Sequence, residues 1–247
     1  MDIKYIDSSF LYFFDYAETE HSVDEAKFYR AYEIWDHCKE LLESGNSSLI
    51  RIDVISNLRR CLNQRLKNIE NYYFINSLPF LKNDKRYFDK LSSLNIIRPF
   101  MLQQLFEIRN DIEHNDAKPP SAKRTQELLD ISWYFLKSTD QLVRGIRDDF
   151  LFNFRIKKST VDYGVTLKFN LSNRWEINIR GWIPKNFVKN FNKKNTIPVE
   201  ILEFGTKFET NVAKYHEDKL DTDLFIEGIV KPDNQMFKEI VLVYFNV

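Results

Sequence analysis

Three side chains in one short stretch are chemically complementary. The segment Phe106-Glu107-Ile108-Arg109-Asn110-Asp111-Ile112-Glu113-His114 brings a guanidinium, an amide and an imidazole close together in the chain. A guanidinium is a planar fork that grips two phosphate oxygens at once. An imidazole titrates near neutral pH, so it both takes and gives protons there. An amide donates and accepts, and it can orient either partner. The set suits phosphodiester chemistry in which the 2′-hydroxyl of RNA attacks the adjacent phosphorus. That step needs proton transfer at the attacking and leaving oxygens and charge stabilisation on the phosphate. It calls for neither a metal nor a cofactor. One imidazole does not easily serve both oxygens, so two copies meeting across a homodimer would complete the site.

The spacing predicts that these residues ride on a helix over about 98–115, with Met101, Leu105, Ile108 and Ile112 on its apolar face. At about 100° per residue, Arg109 falls about 80° from Met101, Asn110 about 180° and His114 about 220°. Asn110 and His114 are then neighbours one turn apart, facing away from the core. Arg109 stands at the stripe's edge. The same three residues are also ordinary on a solvated helix, where a late His favours the helix dipole. Glu107, Asp111, Glu113 and Asp116 surround them and chiefly solvate the helix.

Other chemistries are poorly served. The six glycines stand at 45, 145, 164, 181, 205 and 228, too far apart for a phosphate-cradling loop. Cys38 and Cys61 are the two cysteines, with no zinc spacing or disulfide framework. His21, His37, His114 and His216 form no His-Glu-x-x-His pattern, so no metal site is expected. His21 and His37 read as helix-surface or cap-adjacent residues, and His216 as part of an acidic loop. The cluster Phe10-Leu11-Tyr12-Phe13-Phe14 reads as core or interface. Early charges at Asp2, Lys4 and Asp7 do not resemble a signal peptide, and no apolar run reaches a membrane span of about 18 residues. A cytoplasmic protein without membrane partners is expected.

The element pattern changes once along the chain. Residues 1–148 read as helices. Ser22-Val23-Asp24-Glu25 is a capping box, followed by Phe28, Tyr32, Trp35 and Cys38 on one face. A second helix over 49–76 carries Val54, Leu58, Leu62, Leu66, Ile69 and Tyr73. Residues 84–93 form a short helix or an irregular connection. Pro119-Pro120-Ser121 then stops the motif helix and caps the last one, which is expected to run to about Asp149. Residues 149–247 read as strands: 152–156, 165–171, 175–181, 197–204, 224–230 and 240–247, with a short helix over 186–191. The expected fold class is α+β in two domains. A helical bundle spans 1–148, and a small antiparallel β-barrel or sandwich spans 149–247, an OB-like barrel being one candidate.

In this setting the sequence resembles the HEPN superfamily, the higher eukaryotes and prokaryotes nucleotide-binding domain. The family motif is an Arg followed by four to six residues and a His, commonly with Asn, Asp or His after the Arg. Arg109, Asn110 and His114 match it position by position. The run Asn57-Leu58-Arg59-Arg60-Cys61-Leu62-Asn63-Gln64-Arg65-Leu66-Lys67 is similar to the long helix that precedes the motif in many members. The resemblance covers about residues 20–145. It implies a metal-independent endoribonuclease, homodimeric with a composite site, in a bacterial toxin–antitoxin or antiviral setting with an antitoxin or regulatory protein as partner. In that reading Arg109 binds phosphate, His114 transfers protons, and Asn110 orients His114 or the phosphate. Some HEPN domains keep the fold without cutting, so the alternative is a sensor or scaffold that dimerises through its helices and binds a ligand or protein through its β domain. Some HEPN toxins carry a modifiable Tyr two residues after the His; here that position is Asp116.

Lys plus Arg and Asp plus Glu both number 36, which excludes an evenly basic surface but hides an uneven distribution. Residues 151–198 carry ten basic and two acidic side chains, a net of +8. The RNA-binding candidates there are Arg155, Lys157, Lys158, Lys168, Arg174, Arg180, Lys185 and Lys189. Phe154, Tyr163, Phe169, Trp175, Trp182, Phe187 and Phe191 lie among them. Cations interleaved with rings suit single-stranded nucleic acid, although alternation requires that some rings be core. The plain alternative is a solvated exterior.

Overall fold

The computed structural model describes residues 2–12, 16–22, 25–84, 86–115, 117–155, 161–189, 195–210, 219–231 and 234–246, and the backbone alone at 16–22, 25–27, 101, 173, 234 and 246. The expected capping box at 22–25 lies outside the described side chains. The chain forms two compact units. One gathers residues 22–76 and 81–146, and the other gathers residues 1–21, 77–80 and 147–247.

The first unit is helical: α1 (Glu25–Ser44), α2 (Ser48–Tyr73), α3 (Tyr87–Ser93), α4 (Phe100–Asn115), α5 (Ala122–Ser138) and α6 (Asp140–Arg144). Ser47 caps α2 by accepting from the Ile50 amide, and Ser121 caps α5 by accepting from the Arg124 amide, each at 3.2 Å. The second cap is the one that Pro119-Pro120-Ser121 predicts. The α2 face of Val54, Leu58, Leu62, Leu66, Ile69 and Tyr73 is buried. The α1–α2 seam also carries both thiols, with Cys61 Sγ donating to the Ala31 carbonyl at 3.2 Å. Burial pushes both thiols up to about 12.

The helix expected to continue to Asp149 ends at Arg144 instead. Thr139 breaks it: its hydroxyl donates to the Phe135 carbonyl at 2.7 Å, and its backbone leaves the helical region. Gly145 is then already extended, and residues 145–149 open a strand.

The second unit is built on β1 (Ile3–Asp7), β2 (Tyr16–Ser22), β3 (Gly145–Arg155), β4 (Asp162–Asn170), β5 (Glu176–Ile183), β6 (Val188–Lys189), β7 (Thr196–Gly205) and β8 (Leu224–Val230), with a final helix α7 (Asn234–Asn246). The sheet runs in the order β2-β3-β4-β5-β8-β7-β1-β6. Its end strands do not pair with each other, so it is an open sheet and not the expected barrel. Strands β3, β4 and β5 make an antiparallel meander. The chain's first strand returns between β7 and β6, antiparallel to both.

Three further readings change. Residues 3–7 and 16–22 are strands, although the helical half was expected to begin at residue 1. The expected strand over 240–247 is α7. Met236, Phe237, Ile240, Val241 and Tyr244 are its buried row, a helical spacing that the apolar run Ile240-Val241-Leu242-Val243, rich in β-branched residues, disguises. The expected helix over 186–191 is a single 3-10 turn at Lys185–Phe187 leading into β6.

Tyr244 of α7 sits edge-on against Phe169 at 4.8 Å and Trp175 at 5.2 Å between ring centroids. Its hydroxyl donates to the Arg147 carbonyl at 2.8 Å. Phe10 lies 5.7 Å from Phe152 in the same core. Two glycines are required by close strand approach. A Cβ on Gly181 would run into the Gly164 carbonyl, and one on Gly228 into the Glu200 carbonyl.

Candidate active site

Helix α4 carries the Arg-Asn-His motif, and its own packing decides how each side chain is presented. Leu102 and Leu105 are its buried residues, while Ile108 and Ile112 are half-buried. Arg109 continues the Leu102–Leu105 row at spacings of three and four, so it lies nearer the apolar face than a wheel drawn from Met101 places it. Its side chain is 24% exposed. Asn110 and His114 are exposed, one turn apart. The exposed face expected for these two residues is therefore present.

Each member has a distinct environment. The Arg109 guanidinium pairs with the Glu113 carboxylate one turn later on α4. Asn110 Oδ1 accepts from Arg59 Nη1 of α2 at 2.7 Å. The amide is thus tied to a guanidinium of another helix. Arg59 in turn lies over the Phe106 ring, 5.2 Å from its centroid, and Phe106 is held edge-on by Phe88 of α3 at 5.1 Å. Partial desolvation and then the positive charge of Arg59 hold the Arg109 guanidinium below its ordinary pKa. Two guanidiniums therefore share one small region. Asp111 is engaged elsewhere, accepting from the Asn115 side chain at 3.1 Å. His114 makes no hydrogen bond or ion pair among the described residues. Its imidazole is open to solvent and to whatever docks on this face.

Arg59 is the member that the sequence did not single out. It stands in the quoted α2 run beside Arg60, and both are half-buried or exposed helix positions. The pairing of α2 with α4 selects Arg59; Arg60 instead donates to Asn57 at 3.1 Å.

The basic segment of the sheet unit is less concentrated than its sequence. Arg155 makes a bidentate pair with Asp162 at 2.6 and 2.8 Å. Arg180 pairs with Glu227 at 3.5 Å, and Lys189 with Asp7 at 3.7 Å. Lys168, Arg174 and Lys185 are exposed, and Lys157 and Lys158 lie outside the described residues. Phe154, Tyr163, Phe169, Trp175 and Trp182 are buried core rings. Phe187 is half-buried and stacks on Phe154 at 5.4 Å. Phe191 and His216 lie outside the described residues.

Among the described residues, no group of three or more His, Cys, Asp or Glu side chains is placed to hold a metal ion. None of the described helices is long and apolar enough to cross a membrane. Comparison of the chain with protein-family models, curated proteins and solved structures gives no match.

Proposed function

We propose that this chain is a HEPN-type endoribonuclease whose reacting groups are Arg109 and His114. The observation that carries the reading is the exposed imidazole of His114 one turn from Asn110, which accepts from the Arg59 guanidinium, in a unit made of helices. Arg109 binds a non-bridging oxygen of the scissile phosphate, exchanging Glu113 for it. The exchange is feasible because an exposed helical ion pair is weak, whereas a phosphate oxygen accepts charge-assisted hydrogen bonds from the guanidinium fork. His114 takes the proton from the 2′-hydroxyl as its oxygen bonds to phosphorus. The bond to the 5′-oxygen breaks, and that oxygen receives a proton from the imidazolium of the partner subunit's His114. The products are a 2′,3′-cyclic phosphate and a 5′-hydroxyl end. A homodimer that brings two α4 helices together supplies the second imidazole. The setting that the resemblance suggests is toxin–antitoxin or antiviral defence in the cytoplasm, with a regulatory protein as partner.

The pairing of Arg109 with Glu113 favours a second reading, in which the guanidinium is satisfied internally and the helical unit is a scaffold. One experiment separates the two. RNA cleavage is measured in EDTA for wild type, Arg109→Ala and His114→Ala, with end-group analysis of the products. Cleavage by wild type alone, leaving cyclic phosphate ends, supports the nuclease. Equal cleavage by all three, or none by any, removes it.

A further inference from the structure

The motif residues do not account for the second guanidinium in this site. Arg59 belongs to α2, yet two contacts hold it over α4: the 2.7 Å bond to Asn110 and the Phe106 face beneath it. It also lies close enough to Arg109 for its charge, after partial desolvation, to help hold that guanidinium below its ordinary pKa. The Glu113 carboxylate pairs with Arg109. Glu107 and Asp111 also lie on α4, so what distinguishes the two cations is placement: guanidiniums from two different helices are held on one small patch. Asn110 answers for the geometry without cancelling the charge, because an amide oxygen is a neutral acceptor. The Phe106 face behaves likewise, as it attracts a cation while leaving its N–H donors free on the outer side. Arg59 uses one of its five donors on Asn110. Its other donors have no hydrogen-bond partner among the described residues and can serve a ligand.

We infer that Arg59 and Arg109 form a two-guanidinium subsite for the phosphodiester backbone of single-stranded RNA, with Arg59 taking a second oxygen or the phosphate next to the scissile one. Asn110 is then a positioning residue for Arg59 and does not touch the reacting atoms. This inference rests on the proposed nuclease reading for its ligand class. It departs from that reading in the part given to Asn110 and in adding a residue from α2.

The test uses the full chain and an uncleavable single-stranded 2′-O-methyl oligoribonucleotide. Its binding is followed by fluorescence anisotropy across a salt series, with RNA cleavage measured in parallel. Arg59→Ala is expected to weaken binding roughly tenfold and to lower the magnitude of the log–log salt slope by about 0.7, the contribution of one phosphate contact on a single strand. Arg59→Lys keeps the charge and loses the fork, so the slope is retained and the affinity falls less. Asn110→Ala is expected to weaken binding about twofold, with the slope unchanged, because the cation remains but is no longer anchored. His114→Ala is expected to abolish cleavage and leave binding intact. A slope and affinity for Arg59→Ala equal to wild type, with Arg109→Ala impaired, would overturn the subsite and leave the nuclease reading standing. Impaired binding by Arg59→Ala together with undiminished cleavage by His114→Ala would keep the subsite and remove the nuclease. Absence of binding by wild type overturns both.

Discussion

Arg65 of α2 is fully buried in the helical unit, and replacing it with Met tests what holds the helices together. Its Nη1 donates to Asp140 Oδ1 at 3.0 Å and to the Leu136 carbonyl at 3.3 Å. The guanidinium lies between the Phe28 ring, 5.2 Å from its centroid, and the Tyr32 ring at 5.5 Å. Nε and Nη2 have no hydrogen-bond partner among the described residues. Removing one partner of a buried pair costs about 3–5 kcal/mol, largely from the charge left behind. Here Asp140 is not left alone. It still accepts the Tyr32 hydroxyl at 2.8 and 3.0 Å, and Lys137 stands 3.9 Å away. Met also fills volume without bringing unpaired donors into the core. The low end applies, about 3 kcal/mol, or about 6–12 °C in melting temperature for a chain of this size. Adding Asp140→Asn should cost about 2 kcal/mol less than the sum of the two single changes. Urea unfolding followed by circular dichroism and by tryptophan fluorescence measures all four proteins. A single change within about 1 kcal/mol of wild type, or strict additivity in the cycle, would refute the claim that the pair is net favourable.

Three other outcomes are expected. Glu113→Gln removes the carboxylate that competes for Arg109, so binding of the uncleavable oligonucleotide should tighten about twofold in an anisotropy titration; weaker binding would mean that Glu113 holds Arg109 in place. Gly181→Ala should destabilise by about 2–3 kcal/mol in urea, because its Cβ meets the β4 backbone, while Gly164→Ala, whose Cβ would meet side-chain atoms at 3.4 Å, should change stability by less than about 1 kcal/mol; equal effects would contradict the strand register. Burial, and then Asp140, raise Tyr32 above its ordinary value of 10.0, so the neutral phenol is favoured in the folded state. Its contribution is therefore complete below pH 10 and lost as the pH rises above it; the urea midpoint of wild type should fall through that range more steeply than that of Tyr32→Phe.

Helices α2, α4 and α5 were legible because each signal that marks them is local. A serine cap, a row at spacings of three and four, and a proline stop are all read within one element. The strands β3, β4, β5, β7 and β8 were legible for the same reason, since alternation is a property of one strand. The closure of the sheet was not, because it depends on which strands are neighbours. Strand β1 carries no strong pattern of its own: Ile6 alone is buried, and its partners are strands nearly 200 residues later in the chain. Helix α7 failed in the opposite way. Its β-branched residues favour a strand locally, and only the burial of Tyr244 among Phe169, Trp175 and Phe150 makes the helical row decisive.

The same distinction separates the two halves of the candidate site. Arg109 and His114 are visible because their spacing lies within α4. Arg59 is invisible because nothing in the α2 sequence distinguishes it from Arg60, its equally charged neighbour. The choice between them is made by Phe106 and Asn110, and both of those belong to α4. The charge block at 151–198 shows the converse error. Its cations are contiguous in sequence, but Asp162, Glu227 and Asp7 reach Arg155, Arg180 and Lys189 across strands, and the interleaved rings turn inward. A net charge counted along the chain ignores the carboxylates that folding delivers. Around α4, too, a charge count decides nothing, because Glu107 and Asp111 share the helix with Glu113; what marks Arg59 is that Asn110 and Phe106 hold it without neutralising it. The proposed anion site therefore rests on the α2–α4 pair for its geometry, two guanidiniums placed by the packing of two helices, and not on a charge total.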